Sequence, residues 1–396
     1  MDVNGEISDQ MLMERIDGQI DGYAREHILT LADRERMQLQ LFNSFRKLDL
    51  LQELLEQPDI TEIMVNGPKA IFYEKQGVLY RWEKGFETLE KLENVVWQIA
   101  AQGNKTINEA EPIIDTRLPD GSRVNIVMPP AVLDAPCITI RKFASEMMSL
   151  ERMVEMDSIS REIYQFLVLL VQAGYHIFVS GGTGSGKTTF LNALSQAIPR
   201  GERVITIEDS AELQLQGVEN LVRLETRTTN GNGVEEISIR DLIRTSLRMR
   251  PDRIIVGEVR GPEALELLQA NNTGHRGGMS TGHGNSCTDM LSRLETMTLM
   301  AKDISLAAVR GQIAAGFDVM IHLGRMRDRS RKVLQICEIT GVVEGEIRLC
   351  PLYEFQELGS NNGKVVGQWV RTGQLLAREK MQTAGLEKKL LQLYQT

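Results

Sequence analysis

Hydrophobic and polar positions along the chain fall into three successive patterns. Over residues 7–55, apolar side chains such as Met11, Ile16, Ile28, Leu31, Met37, Leu41, Phe45 and Leu48 recur at helical spacing among charges. This predicts two or three amphipathic helices, serving either as a cap on the next domain or as a docking bundle for a partner. From residue 62 the pattern changes to short β-branched and aromatic runs broken by turn residues. Runs at 62–65, 70–74 and 78–81, separated by Asn66-Gly67-Pro68 and Gly77, predict an antiparallel meander. An amphipathic helix over 89–101, stopped by Gly103-Asn104, precedes a hairpin over 115–128 with a Pro119-Asp120-Gly121-Ser122 turn, and then a strand at 137–142.

A Met-, Ser- and Glu-rich stretch without a strong period reads as an interdomain linker over 144–160, and a helix over 161–173 opens the third pattern. Apolar runs at 177–179, 204–207, 221–224 and 254–256 alternate with helical segments, the signature of a parallel, doubly wound sheet. Residues 318–323 and 332–339 predict an antiparallel pair across Arg327-Asp328-Arg329-Ser330, and a Leu-rich amphipathic helix closes the chain over 385–394. The chain thus divides into a helical extension (1–50), a small α+β domain (51–143), the linker (144–160) and an α/β domain (161–396), in keeping with a length of 396 residues.

Composition acts mainly by exclusion. With 42% hydrophobic and 25% charged residues the chain is ordinary for a globular protein. Lys and Arg total 45 against 54 Asp and Glu, a net charge of -9, so the chain as a whole attracts neither nucleic acid nor an anionic membrane. Cys137, Cys287, Cys337 and Cys350 are dispersed, without the paired spacing of zinc sites or disulfide frameworks, and read as reduced, small hydrophobes. Residues 1–22 are acidic and polar, unlike a signal peptide, and the apolar stretch 166–171 is too short to cross a bilayer. A soluble, intracellular protein is expected.

The candidate chemistry centres on Gly181, Gly182, Thr183, Gly184, Ser185, Gly186, Lys187 and Thr188, placed where the run 176–180 should hand over from strand to helix. Glycines let the backbone curl its N–H groups inward, Lys187 can neutralise β- and γ-phosphates, and the Thr188 hydroxyl can complete a Mg²⁺ shell. The helix begun by Thr189 aims its positive end at the same phosphates. Two other strand ends bring acids to that crevice: Glu208, Asp209 and Glu212 follow 204–207, and Glu258 follows 254–256. An acid straight after three apolar strand residues is hard to explain as surface, which favours Glu258 as the water-activating group. Gly257 stands where such hydrolases usually carry a strand-terminal Asp, which weakens metal ligation by this strand. The glycine- and hydroxyl-rich stretch 271–286 holds His275 and His283, either of which could report a γ-phosphate by donating a hydrogen bond. A zinc pair is disfavoured, since neither Cys nor carboxylate falls at ligand spacing. Arg117, Arg123 and Arg141 in the first half, and Arg227, Arg244, Arg248 and Arg260 in the second, could supply a transition-state cation, although for any single arginine a surface ion pair is the commoner role.

Together, the phosphate loop, the acidic box at 207–209, the stretch Arg248-Met249-Arg250-Pro251-Asp252-Arg253-Ile254-Ile255-Val256-Gly257-Glu258-Val259-Arg260-Gly261 and the two-histidine box resemble the type II/type IV secretion ATPase superfamily. Residues 61–68 and 117–124 look like the CpaF branch, which powers tight-adherence (Flp) pilus assembly. The missing paired-cysteine zinc module also points to that branch. The resemblance spans roughly residue 51 to the C-terminus. It implies an α/β chain with a PAS-like N-terminal domain and a C-terminal RecA-like P-loop ATPase domain, assembled as a homo-hexamer with ATP and Mg²⁺ between subunits. Such a ring works beneath inner-membrane platform proteins, at the cytoplasmic face of the membrane, with no direct nucleic-acid partner. By resemblance Lys187 and Thr188 bind ATP and Mg²⁺, Glu208 and Glu212 form the acidic box, Glu258 is the Walker B glutamate, and His275 and His283 form the histidine box. Arg117, Arg123 and Arg141 look like phosphate contacts made in trans. Arg276, where the branch commonly has an acid, and the glycines flanking His283 suggest a looser sensing loop. A conjugation-type secretion ATPase, a DNA-translocating RecA-like motor and a non-hydrolysing nucleotide switch are the alternatives.

Overall fold

The computed structural model describes residues 8–75, 77–143, 148–227 and 235–395. The chain divides into two compact units, residues 1–145 and 146–396. In the first, α1 (Asp9–Ala24) and α2 (Leu31–Arg46) form a helical hairpin. Ser8 accepts the Met11 N–H at the start of α1, and Thr30 with Asp33 forms a reciprocal capping box on α2, so free backbone donors at both helix starts are satisfied. A short α3 (Leu51–Leu55) leads to β1 (Ile60–Asn66), β2 (Ile71–Lys75), β3 (Val78–Arg81), α4 (Leu89–Gln102), β4 (Ile113–Arg117), β5 (Arg123–Val127) and β6 (Cys137–Arg141). The strands form one antiparallel sheet in the order β3-β2-β1-β6-β5-β4. Alternation along the strands buries Ile63, Val65, Val124, Ile126, Ile138 and Ile140 in one core with Leu92, Val96 and Ile99 of α4. Each such side chain contributes roughly 1.5–3 kcal/mol by leaving water.

The second unit begins with α5 (Leu150–Glu155) and α6 (Arg161–Ala173), followed by β7 (Ile177–Gly181), α7 (Lys187–Ser195), β8 (Arg203–Glu208), β9 (Asn220–Glu225), α8 (Ile239–Ser246), β10 (Arg253–Val256), α9 (Ala264–Asn272) and β11 (Met279–Gly282). Then come α10 (Cys287–Ala301), α11 (Leu306–Gly316), β12 (Val319–Arg325), β13 (Arg331–Val343), β14 (Glu346–Asn361), β15 (Lys364–Arg371), α12 (Glu379–Thr383) and α13 (Glu387–Leu393). Nine strands lie in the order β15-β14-β13-β12-β7-β11-β10-β8-β9. From β12 to β9 they run parallel, and from β12 to β15 antiparallel. Successive residues of β7 serve opposite faces: Ile177 and Val179 join a core with α6, α7 and α13, whereas Phe178 joins a core with α9, α10 and α11. Helices thus cover the parallel sheet on both sides, as the apolar strand runs require.

Three expectations change. Residues 148–160 are not a linker: they carry α5, and Leu150, Met153 and Ile159 are buried in the core of the second unit, while 144–147 lie outside the described residues. An apolar periodicity over six residues is too short to stand out in the sequence. The sheet runs on past the expected antiparallel pair β12–β13, because β14 and β15 extend it; their half-exposed faces lack the apolar runs of buried strands. The stretch 271–286 is not one loop, since 279–282 form the buried strand β11. Among the described residues no helix is long and apolar enough to cross a membrane.

Candidate active site

β7, flanked by β12 and β11, delivers the chain to the phosphate loop, and α7 starts at Lys187. Gly186 takes a left-handed conformation (φ +91°) at the cap of α7, a turn that a residue with a Cβ would make at a cost, and no side chain caps the helix. The first-turn N–H groups of α7 therefore remain a positive, anion-ready end. Lys187 is buried, and its Nζ donates to Gly181 O (3.0 Å) and Gly182 O (3.1 Å). Ser185 Oγ closes the loop on Gly182 O at 2.9 Å. Thr188 and Thr189 occupy the first turn, Thr188 half-buried and Thr189 exposed.

β11 and the segment after β10 converge on Lys187. Val259 N–H donates to Thr281 O (2.8 Å) and Thr281 Oγ1 to Gly257 O (2.7 Å), which ties Glu258 to the end of β11 where His283 follows. His283 Nδ1 lies 3.3 Å from Lys187 Nζ, and Nε2 lies 2.8 Å from Glu258 Oε1. Since the ammonium can only donate, the ring's Nδ1 accepts and its proton sits on Nε2, facing the carboxylate. Burial first, and the neighbouring Lys187 next, hold the imidazole below its ordinary pKa. The Nε2 contact lacks hydrogen-bond alignment, and the buried Oε1 of Glu258 accepts no hydrogen bond. Oε2 is occupied by Arg260, through Nε (2.9 Å) and Nη2 (2.6 Å), and Arg260 Nη1 lies 3.7 Å from Asp209. One carboxylate oxygen is thus anchored, while the other faces His283 beside the phosphate loop without accepting a hydrogen bond.

Glu208 is buried, and its Oε1 accepts the backbone N–H groups of Glu212 (2.8 Å) and Leu213 (2.9 Å). Oε2 has no hydrogen bond, and burial raises the carboxyl pKa above its ordinary value. The glycine at 257 follows from this carboxylate: a Cβ there would lie 2.8 Å from Glu208 Cγ and 3.2 Å from its Oε1. Glu208 fills the volume that a strand-terminal Asp at 257 would need. Glu212 enters the arrangement through its backbone N–H.

Other expected residues are placed differently. β11 runs parallel to β7 with Met279 opposite Ile177 and Gly282 opposite Ser180. His275 therefore precedes the end of β11 remote from the phosphate loop, where its Nδ1 lies 3.3 Å from both Thr273 Oγ1 and Ala270 O. It does not share a site with His283. The glycines beside His283 reflect packing, since a Cβ on Gly282 would meet Phe178 at 2.9 Å and one on Gly284 would meet Met290 at 3.1 Å; they do not loosen the loop. In the first unit Arg117 is the ladder partner of Arg123, and Arg123 of Arg141, which sets three arginines in one row across β4, β5 and β6. Arg244 is drawn to Glu266 at 2.7 Å, and Arg227 donates to Glu235 O. Two features were not foreseen. Ser180 Oγ and His322 Nδ1, both buried, lie 2.9 Å apart under the loop. Arg331 Nε donates to Gly184 O at 2.9 Å. Only strand pairing brings these residues to the loop.

Residues 46–347 match the family model described as type II/IV secretion system protein. The type IV secretion system protein PtlH of Bordetella pertussis is 35% identical over 315 residues, 73% of this chain and 93% of that protein. The conjugal transfer protein TrbB of Rhizobium radiobacter is 33% identical over 299 residues, 74% of this chain and 88% of that protein. Among solved structures, the Legionella pneumophila ATPase DotB has a TM-score of 0.51 at 22% identity, covering 73% of this chain and 79% of its own. The pilus retraction motor PilT with bound ADP has a TM-score of 0.52 at 18% identity, covering 88% of each chain. These likenesses support the mixed α/β, RecA-like fold. The chain belongs to the type II/IV secretion system protein family.

Proposed function

We propose that the protein hydrolyses ATP and works as a ring-forming motor of a secretion or pilus-assembly machine. The observation that carries this reading is the contact of one imidazole with both Lys187 and Glu258 at the mouth of the phosphate loop. The residues fit a magnesium nucleotide: a buried cation, an uncapped helix start, the Thr188 hydroxyl and two buried carboxylate oxygens without hydrogen bonds. Mg²⁺, when bound, would be held by Thr188 and would neutralise charge on the phosphates. Glu258 Oε1 orients the attacking water and takes its proton, while Arg260 holds the other oxygen. Lys187 exchanges the carbonyls of Gly181 and Gly182 for phosphate oxygens. His283 registers that exchange, because its Nδ1 partner is Lys187. Glu208 holds the backbone at Glu212 and Leu213.

The finer reading is a CpaF-like homo-hexamer that drives Flp pilus assembly or protein export through inner-membrane platform proteins, at the cytoplasmic face of the membrane. Motif resemblance supports it, and the row Arg117, Arg123 and Arg141 suits a role as phosphate contacts in trans. His275 has no part in it. The conjugal-transfer relative favours a second reading, a motor coupled to DNA transfer, which stimulation of turnover by DNA across salt concentrations would support. The first test is phosphate release from MgATP by the purified chain together with its assembled mass. Turnover lost in Lys187→Ala is expected; a monomer without turnover, unaffected by that substitution, would overturn the proposal.

A further inference from the structure

We infer that Arg325 and Arg331 form a cationic clamp on the phosphates of the bound nucleotide, supplied by the same chain that carries the phosphate loop; this rests on the hydrolase reading above. Arg325 ends β12 and Arg331 begins β13, and the two are ladder partners. Like charges directly opposite one another destabilise a sheet. The turn between them is held firmly nonetheless: Asp328 accepts from Ser330 N (3.0 Å), Ser330 Oγ (2.6 Å) and Val365 N (2.7 Å), and Arg327 is drawn away to Glu357.

β12 lies beside β7 with Leu323 opposite Gly181, so this ladder end stands next to the phosphate loop. Arg331 Nε donates to Gly184 O at 2.9 Å, and a Cβ built on Gly186 would lie 3.2 Å from Arg331 Cδ. A Cβ on Gly184 would lie 3.7 Å from Arg325 Nη1. Both arginines are exposed. Among the described residues the Arg325 side chain makes no hydrogen bond or ion pair. With Lys187 and the start of α7, the two guanidinium groups place four positive features around one short loop in a chain of net charge -9. A polyphosphate is an anion of the size and charge to relieve their repulsion, and a planar guanidinium matches phosphate oxygens bidentately.

The test is calorimetric titration of the full chain with MgADP, AMP and adenosine. Arg325→Gln is expected to weaken MgADP about tenfold, with a smaller loss for AMP and none for adenosine. The same substitution is expected to shrink the MgADP-induced rise in Tm without lowering the Tm of the ligand-free chain, which a merely structural arginine would lower. Arg331→Gln is expected to weaken MgADP to a similar extent, and Arg331→Lys to restore most of the affinity. MgADP affinities of Arg325→Gln and Arg331→Gln within about twofold of the parent, while Lys187→Ala abolishes binding, would overturn the clamp and leave the hydrolase reading standing. Undiminished MgADP binding by Lys187→Ala would instead overturn that reading itself.

Discussion

His283 Nε2 stands 2.8 Å from Glu258 Oε1, and the opposite nitrogen of the same ring meets Lys187. One imidazole therefore touches both the lysine proposed to grip phosphate and the carboxylate proposed to activate water, and its protonation state decides whether it can keep both contacts. A protonated ring cannot accept from Lys187 and adds a second cation beside it.

Burial and Lys187 hold His283 below its ordinary pKa of 6.5, so the ring is neutral at pH 7 and gains its proton only further down. Turnover is expected to stay level from about pH 8 to about pH 7 and to fall on an acidic limb below about pH 6.5. His283→Gln, which cannot titrate, is expected to lower turnover and to remove that limb. Initial rates across pH for both chains are the check.

Gly257 and Glu208 compete for one volume, since a Cβ on Gly257 would sit 2.8 Å from Glu208 Cγ. Gly257→Ala is expected to cost roughly 1–3 kcal/mol of stability through overpacking and to lower turnover by displacing Glu258. Combined with Glu208→Ala it is expected to cost less than the sum of the single changes. A double-mutant cycle from denaturant unfolding measures the coupling.

The row of Arg117, Arg123 and Arg141 yields a complementation test of action in trans. Lys187→Ala chains and Arg123→Ala chains are each expected to be inactive alone. Mixed assemblies, purified through a different tag on each chain, are expected to regain turnover, because some interfaces then join an intact phosphate loop to an intact arginine row.

His176 offers a stability prediction. Its Nδ1 accepts the Gly278 N–H at 2.9 Å, and burial first, then Lys380, lowers its pKa from 6.5 to about 4. Between those values the unfolded chain binds a proton that the folded chain refuses, so this contribution to stability is lost as pH falls from 6.5 towards 4. The loss amounts to about 3 kcal/mol at the lower limit. Glu208 and Glu338, whose pKa values burial raises, act in the opposite direction over the acid range. The difference between the parent and His176→Gln in urea unfolding across pH isolates the histidine, and a smaller acid loss is expected in the variant.

The strands carrying the phosphate loop and Glu258 were legible in the sequence because each is an apolar run ending abruptly at glycine or acid, a pattern set by local burial. His275 and His283 were not separable in that way. Both sit among glycines and hydroxyls, and only the four-residue strand β11 puts them at opposite ends of the sheet. Gly257 read as a missing acid, because the side chain that fills its space, Glu208, belongs to the neighbouring strand. Arg325 and Arg331 carry no local signal in the sequence, and only the register of β12 with β13 and β7 brings them to the loop. Long-range pairing carries information that local pattern does not.

Hydrolysis at Glu258 is tested by phosphate release from Glu258→Gln at saturating MgATP, with MgADP affinity determined on the same preparation. Affinity is expected to be kept and release to slow by about a hundredfold or more, since the amide cannot take a proton from water. Release at the parent rate, with affinity unchanged, would contradict the assignment of Glu258 and with it the hydrolytic centre described above.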